Sequence, residues 1–133
     1  MGGFYKLVSA TSSGACVVFV NGGGVFVLDG VVVSHAVGYE GRGVWVYNGG
    51  HFVMYRGEIS GNSAPVYDGW LSDTANGGGG VCNSGVFEMY GGVISGNTAG
   101  SGGGVYADTV RGTFKVYGGK ITGNTPADIV NGW

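Results

Sequence analysis

The sequence is poor in charged residues and nearly lacks proline. Charged side chains make up 11% of the 133 residues, with 6 basic and 8 acidic ones, and there are only 2 prolines. Globular domains carry about 25% charged residues, and disordered chains are more strongly charged and poor in aromatic and β-branched residues. This chain is 13% aromatic. The composition therefore predicts an ordered chain, and a net charge of −2 gives no reason to expect a nucleic acid as partner.

Long apolar runs, paired cysteines and metal-binding motifs are also missing. No apolar stretch approaches the ~20 residues that a membrane-spanning helix needs, because Asp29 interrupts the most valine-rich one. Cys16 and Cys82 lack the spacing of a metal or redox site, and a disulfide between them stays open. His35 and His51 have no partner at ligand spacing. We expect no cofactor and no membrane span in this chain.

Glycine is abundant, with 32 residues, and it accompanies a repeat. Three blocks align without a gap: 52–62 (FVMYRGEISGN), 87–97 (FEMYGGVISGN) and 114–124 (FKVYGGKITGN). A second motif precedes each block, as RGVWV, GGGVC and GGGVYA, and a diverged copy, GGGVFV, begins at Gly22. The glycines cluster instead of recurring at every third position, which excludes collagen. A period of about 25 residues indicates a repeat architecture.

The apolar residues within the repeats alternate as they do in strands. Val44 and Val46, and likewise Phe52 and Met54, are separated by one residue, and each segment soon meets a glycine-rich corner. No long capped run of helix formers occurs, so little or no helix is expected. We predict an all-β fold, a single-stranded parallel β-helix (β-solenoid) of roughly five coils. A β-sandwich or antiparallel β-prism competes, but neither requires the constant offset between Ile and Asn.

Residues 1–133 are predicted to form a single β-helix domain. Its parts are a diverged N-terminal coil (1–21), three repeat units (22–62, 78–97 and 102–124) and a protruding loop (63–77). Excess length confined to one corner is typical of solenoids. The loop concentrates acidic and aromatic side chains that could bind a glycan or a protein: Tyr67, Asp68, Trp70 and Asp73. The structural alternative is that Trp70 folds back over the solenoid.

Stacked coils place equivalent residues above one another in ladders. A core ladder is predicted for Phe52, Phe87 and Phe114 with Ile59, Ile94 and Ile121. A hydrogen-bonded ladder is predicted for Asn62, Asn97 and Asn124. An outward aromatic ladder is predicted for Tyr55, Tyr90 and Tyr117, and a second, imperfect one for Phe26, Trp45 and Tyr106. An exposed aromatic stripe indicates an interface, cross-strand stabilisation or sugar stacking, and these three readings stay open.

Catalytic residues are hard to nominate. Polysaccharide-degrading enzymes with this fold need two or more carboxylates on one face. Glu88 shares its column with Val53 and Lys115, and the column of Glu58 likewise holds no second acid. Glu88 and Lys115 are expected to form a surface ion pair worth at most about 1 kcal/mol. We therefore expect that the chain is not an enzyme.

The stretch ISGNTAGSGGGVYA at 94–107 resembles the repeats of polymorphic outer-membrane proteins and related autotransporter adhesins. Those repeats carry paired FxxN and GGA[IL] motifs on a right-handed parallel β-helix. Here Ile stands where the family prefers Phe, and GGV where it prefers GGA[IL]. The likeness covers 78–125 well, 42–62 fairly and the first coil hardly at all. It implies a surface-exposed or extracellular adhesin or structural stalk.

The two ends of the predicted solenoid carry no recognisable polar cap. Open strand edges and an open apolar core favour pairing with further copies, and head-to-tail stacking that does not close gives a filament. The leading hypothesis is a self-assembling fibre subunit, located outside the cell or on its surface. The alternative is a surface adhesin that binds a glycan or a host surface, and a polysaccharide-degrading enzyme is the third class.

Overall fold

The computed structural model describes residues 5–8, 16–34, 42–64 and 77–132. These residues form short strands, and no helix occurs among them. The strands are β1 (Tyr5–Val8), β2 (Val18–Val20), β3 (Val25–Ser34), β4 (Val44–Val46), β5 (His51–Ser60), β6 (Val81–Asn83), β7 (Val86–Met89), β8 (Val93–Ser95), β9 (Val105–Asp108), β10 (Thr113–Val116), β11 (Lys120–Thr122) and β12 (Ile129–Gly132).

The strands pair in parallel and build two sheets. The 7-stranded sheet runs in the order β1, β3, β5, β7, β10, with β8 and β11 continuing it beside β5. The 5-stranded sheet runs in the order β2, β4, β6, β9, β12. The chain alternates between the sheets and pairs with its own previous pass, which gives a β-solenoid of about 4 turns. The predicted fold class, an all-β parallel β-solenoid, is thus confirmed. The 5 strands of the smaller sheet lie on successive levels of the stack.

One side of each strand fills the interior. In β4, Val44 and Val46 are buried and Trp45 between them is half-buried. In β7, Phe87 and Met89 are buried and the residues beside them are more exposed. Side chains at every second position of a strand share one face. The alternating apolar residues of the sequence are therefore the ones that pack between the two sheets.

The corner before each ladder asparagine requires a glycine. Gly61, Gly96 and Gly123 have φ angles of 65°, 65° and 67°. This left-handed region is open to glycine and costly for residues that carry a Cβ. A Cβ added at Gly123 would meet nothing within 4 Å, so the requirement at this corner is torsional and not steric.

The glycines of the GGV motif have a steric role. A Cβ on Gly80 would lie 2.6 Å from the carbonyl oxygen of Gly104 and 3.0 Å from Asn97 Nδ2. Cβ atoms on Gly43 and Gly104 would lie 2.8 and 2.7 Å from the side-chain nitrogen of the asparagine nearest to them. These distances are too short for real contacts. The motif therefore requires glycine, because its backbone packs directly against the asparagine ladder.

Two parts of the sequence interpretation differ from the structure. The stretch 22–62, grouped as one unit, spans two levels, because β3 pairs with β5 along most of its length. Phe26 does not join an outward ladder with Trp45 and Tyr106. Its ring stacks on that of Phe52 at a centroid distance of 5.3 Å, since the strand register places the two side by side in the core.

Candidate functional site: side-chain ladders and end levels

Asn62, Asn97 and Asn124 lie above one another and form a continuous hydrogen-bonded ladder. The side-chain amide of Asn62 donates to Asn97 Oδ1 at 2.9 Å, and that of Asn97 donates to Asn124 Oδ1 at 2.9 Å. Each of these oxygens also accepts the backbone N–H of the preceding asparagine at 3.0 Å. All three side chains are buried. A buried amide is tolerated only when its polar atoms are paired, and the ladder pairs them.

Asp128 ends this ladder. Its Oδ1 accepts the backbone N–H of Asn124 at 2.9 Å and the side-chain amide of Asn124 at 3.0 Å. Elsewhere in the ladder, these two hydrogen bonds are accepted by Oδ1 of the following asparagine. The carboxylate therefore replaces a further rung at the C-terminal end of the stack.

The phenylalanine ladder lies in the core, where Phe52 and Phe87 are fully buried. Phe52 and Phe87 stack at 4.6 Å between centroids, and Phe87 and Phe114 at 4.9 Å. Ile59, Ile94 and Ile121 pair in register in the neighbouring strands. The members in the last coil, Phe114 and Ile121, are only partly buried because no described residue covers them from the C-terminal side.

Tyr55, Tyr90 and Tyr117 form a stacked ladder on the outside of the solenoid. The centroids of Tyr55 and Tyr90 are 5.3 Å apart and those of Tyr90 and Tyr117 are 4.8 Å apart, with interplanar angles of 22° and 12°. Each ring is between 43% and 58% exposed. Both faces of Tyr90 are covered by its neighbours, so the flank presents ring edges and hydroxyl groups. A sugar that stacks on an aromatic face could use only the end rings of this ladder.

Glu88 lies beside the tyrosine ladder and contacts His51, not Lys115. Its Oε1 is 2.6 Å from His51 Nε2, and its Oε2 accepts from the Tyr90 hydroxyl at 3.4 Å. Lys115 is its in-register neighbour on β10, but no ion pair joins the two side chains in the described part of the chain. The prediction of a Glu88–Lys115 ion pair is wrong, because His51, on the coil below and two residues along the strand, contacts the carboxylate instead.

A buried arginine lies on the outer side of the 5-stranded sheet. Arg42 is buried, donates from Nε to the carbonyl oxygen of Gly77 at 2.9 Å, and places its guanidinium 4.8 Å from the Trp45 ring centroid. Burial raises the pKa of the nearby Cys82 thiol, and the Arg42 charge opposes that rise. No disulfide joins Cys82 and Cys16. Sequence reasoning missed this cluster because Arg42 has no counterpart in the other repeats.

Asp108 closes the corner between β9 and β10. Its Oδ1 accepts the backbone N–H groups of Val110 and Arg111, and its Oδ2 accepts Arg111 Nε at 2.7 Å. Burial by itself would raise the pKa of this carboxyl. The hydrogen bonds from both backbone N–H groups and the Arg111 guanidinium outweigh burial, so the pKa is lowered from its ordinary value.

The residues nominated in the protruding loop lie outside the described residues. They are Tyr67, Asp68, Trp70 and Asp73. At the borders of the predicted loop, Ser63 bridges to Thr98 and Gly77 bridges to Ser101, both in parallel. The edges of the 63–77 segment therefore belong to the stacked coils.

The last coil exposes side chains whose register partners one level below are fully buried. Val116 is 48% exposed, whereas its register partner Met89 is 0% exposed. Ile129 is 41% exposed, whereas its partner Val105 is 0% exposed. The strands that carry them, β10 and β12, are also the outermost strands of their sheets. Among the described residues, the last level is thus an open cross-section of the core with unpaired strand edges.

The N-terminal end is better covered. Leu28, Val33 and Val20, which face inward on the first levels, are buried. Strand β1 pairs with the second half of β3, from Val31 to Ser34. The first half of β3 does not pair with β1. The half-buried Val18 and Phe26 remain at this end. The two ends of the stack therefore differ in how far they expose the core.

The described residues contain no helix long and apolar enough to cross a membrane, and no group of three or more His, Cys, Asp or Glu side chains that could hold a metal. Three described carboxylates form separate local pairs, such as that of Asp29 with Arg56 at 2.6 Å. Comparison of the chain with models of known families, with curated proteins and with solved structures gives no match.

Proposed function

We propose that this chain is a non-enzymatic structural protein, a β-solenoid subunit that stacks head to tail into an extracellular fibre. The observation that carries the proposal is the open last coil, where Val116 and Ile129 expose inward positions that are fully buried at the level directly below. An apolar cross-section flanked by unpaired strand edges is a template for further strands of the same kind. A surface location is suggested only by the likeness to polymorphic outer-membrane protein repeats.

The two ends carry matching columns. Phe26 and Phe114 are the end members of the same phenylalanine ladder, and Val18 and Ile129 are the end members of the matching column in the smaller sheet. A second copy that continued the stack would bring an aromatic ring against an aromatic ring and an aliphatic side chain against an aliphatic one. Such a contact joins different surfaces of the two copies, and unless its rotation closes a ring it extends without limit.

The glycan-binding alternative has its nominated residues in the loop, with Trp70 as the main aromatic platform. Binding of labelled glycans in an array, lost in the Trp70→Ala variant, would support it over the fibre. The non-enzymatic part of the proposal is supported by the separate contacts of three described acids: Asp29 with Arg56, Glu88 with His51, and Asp108 with Arg111. Turnover of a polysaccharide by the purified chain would contradict it.

The fibre is tested by charging the open end. Val116→Lys and Ile129→Lys place an ammonium where the next copy would pack, and burial of an unpaired charge opposes association. Val86→Lys is the matched control, because Val86 is 36% exposed on β7 and lies in register between His51 and Thr113, on the flank and not at the open end. The unmodified chain and the control should form filaments in negative-stain electron microscopy, and both end variants should not.

Three outcomes would contradict the proposal. The first is an unmodified chain that forms no filaments at any concentration. The second is assembly that stops at a dimer, which would indicate contact between two C-terminal ends and not head-to-tail growth. The third is equal assembly of the end variants and the control, which would show that the fibre uses another surface.

A further inference from the structure

The tyrosine ladder has the geometry of a reactive pair. Tyr90 and Tyr117 are stacked at 4.8 Å with an interplanar angle of only 12°, closer and more parallel than Tyr55 and Tyr90. Their rings are 43% and 58% exposed, so a dissolved reagent can reach the hydroxyl edges. Two phenols held side by side react with each other far faster than two that must meet by diffusion.

Tyr90 also has a proton acceptor in place. Its hydroxyl donates to Glu88 Oε2 at 3.4 Å, and the other oxygen of that carboxylate is 2.6 Å from His51 Nε2. In the described part of the chain, neither Tyr55 nor Tyr117 donates its hydroxyl to a carboxylate. Partial desolvation in the stack and the Glu88 charge raise the pKa of the Tyr90 phenol, which therefore keeps its proton at neutral pH. Removal of an electron from a protonated phenol requires that the proton leave, and Glu88 can accept it.

We propose that the tyrosine ladder is an oxidative cross-linking site, in which a one-electron oxidant such as a peroxidase with hydrogen peroxide joins Tyr90 and Tyr117 as dityrosine. The site would covalently fasten the last coil, which carries the open end, to the coil below it.

The reaction balances without any group from the protein besides the two phenols. Each phenol gives up one electron and one proton and becomes a phenoxyl radical. The two radicals form one carbon–carbon bond between ring carbons adjacent to the hydroxyl-bearing carbons, and the hydrogen on each of those carbons then moves to oxygen to restore both phenols. The two electrons and two protons reduce one hydrogen peroxide to two water molecules. Glu88 is a positioning residue and base that holds the Tyr90 proton as it leaves.

The test treats the full chain with peroxidase and hydrogen peroxide and maps the product by tryptic digestion and mass spectrometry. Tyr90 lies in the tryptic peptide 57–111 and Tyr117 in 116–120. The expected product is these two peptides joined with the loss of two hydrogen atoms, together with dityrosine fluorescence. Analysis of the band that migrates as a monomer on a denaturing gel restricts the result to links within one chain, so it does not depend on fibre formation.

Two variants assign the link to the ladder. Tyr90→Phe keeps the aromatic stack and removes the phenol, and the joined peptides should disappear. Tyr47→Phe is the matched control, because Tyr47 is similarly exposed but packs against Phe19 and Trp45 and not against another tyrosine of the described residues. Its loss should leave the link between 57–111 and 116–120 unchanged. Persistence of that link in Tyr90→Phe, or its absence from the unmodified chain, would overturn the proposal.

The role of Glu88 has its own readout. Glu88→Gln keeps the shape of the side chain and removes the base, so the initial rate of dityrosine formation should fall about tenfold or more. Circular dichroism is expected to remain that of the unmodified chain. An unchanged initial rate in a folded Glu88→Gln protein would refute the assignment of Glu88.

Discussion

Replacement of Asn97 by alanine tests whether the asparagine ladder holds the coils together. Asn97 Oδ1 accepts two N–H groups of Asn62, and Asn97 Nδ2 donates to Ile59 O and Asn124 Oδ1. Asn97→Ala removes the oxygen that accepts both the backbone N–H and the side-chain amide of Asn62, which is buried. Loss of the acceptor of a buried donor costs about 1–3 kcal/mol for each bond, so the free energy of unfolding should fall by about 4 kcal/mol. Because the free energy of unfolding of native proteins is typically about 5–15 kcal/mol, this loss would be a large fraction of the total stability.

The assay is urea denaturation followed by far-ultraviolet circular dichroism. The matched control is Asn21→Ala, which removes one exposed hydrogen bond that the Gly22 N–H donates to Asn21 Oδ1 and should cost less than about 1 kcal/mol. The reasoning is refuted if Asn97→Ala and Asn21→Ala lose similar stability, because the buried ladder would then contribute no more than a surface contact.

Three further predictions concern stability. Gly80→Ala should lower the free energy of unfolding by about 3 kcal/mol, because the added Cβ would collide with the asparagine ladder. Gly123→Ala should lower it by only about 1 kcal/mol, because the space there is open and only the positive φ is unfavourable. Urea denaturation measures both. Asp128→Ala should cost about 1 kcal/mol more than Asp128→Asn in the same assay, because only the amide oxygen can replace the carboxylate as acceptor for Asn124. The lowered pKa of Asp108 means that its contribution is present above about pH 4 and is lost as the pH falls through the lower folded-state pKa. Thermal melts of Asp108→Asn should therefore show lower stability at neutral pH and a weaker loss between pH 4 and acid than the unmodified chain, and parallel pH curves for the two would contradict this assignment.

The repeating part of the structure could be predicted from the sequence. Residues such as Phe87 and Asn97 recur at fixed offsets, and in a parallel stack equal offsets place equal side chains above one another. The glycine corners were predictable for the same reason, since positive φ recurs with each coil. This explains why the fold class and the membership of the stacked columns follow from spacing alone.

The parts without a repeat could not be predicted. Asp128 replaces an asparagine at the end of the ladder, and at the equivalent place after Asn97 the chain has Ser101. His51 reaches Glu88 from a diagonal position, which depends on the lengths and rotamers of both side chains and not on their columns. Burial of Arg42 likewise depends on a contact with Gly77, at the border of a single insertion.

The head-to-tail fibre is tested most directly by electron cryo-microscopy of the material that the unmodified chain forms. If subunits continue the solenoid, strands about 4.8 Å apart should run through the subunit junctions, and about 4 turns per subunit give an axial rise of about 19 Å. Phe114 of one subunit should then face the first level of the next. Particles of single-subunit size, or filaments whose subunits meet through their flanks, would contradict the proposed function.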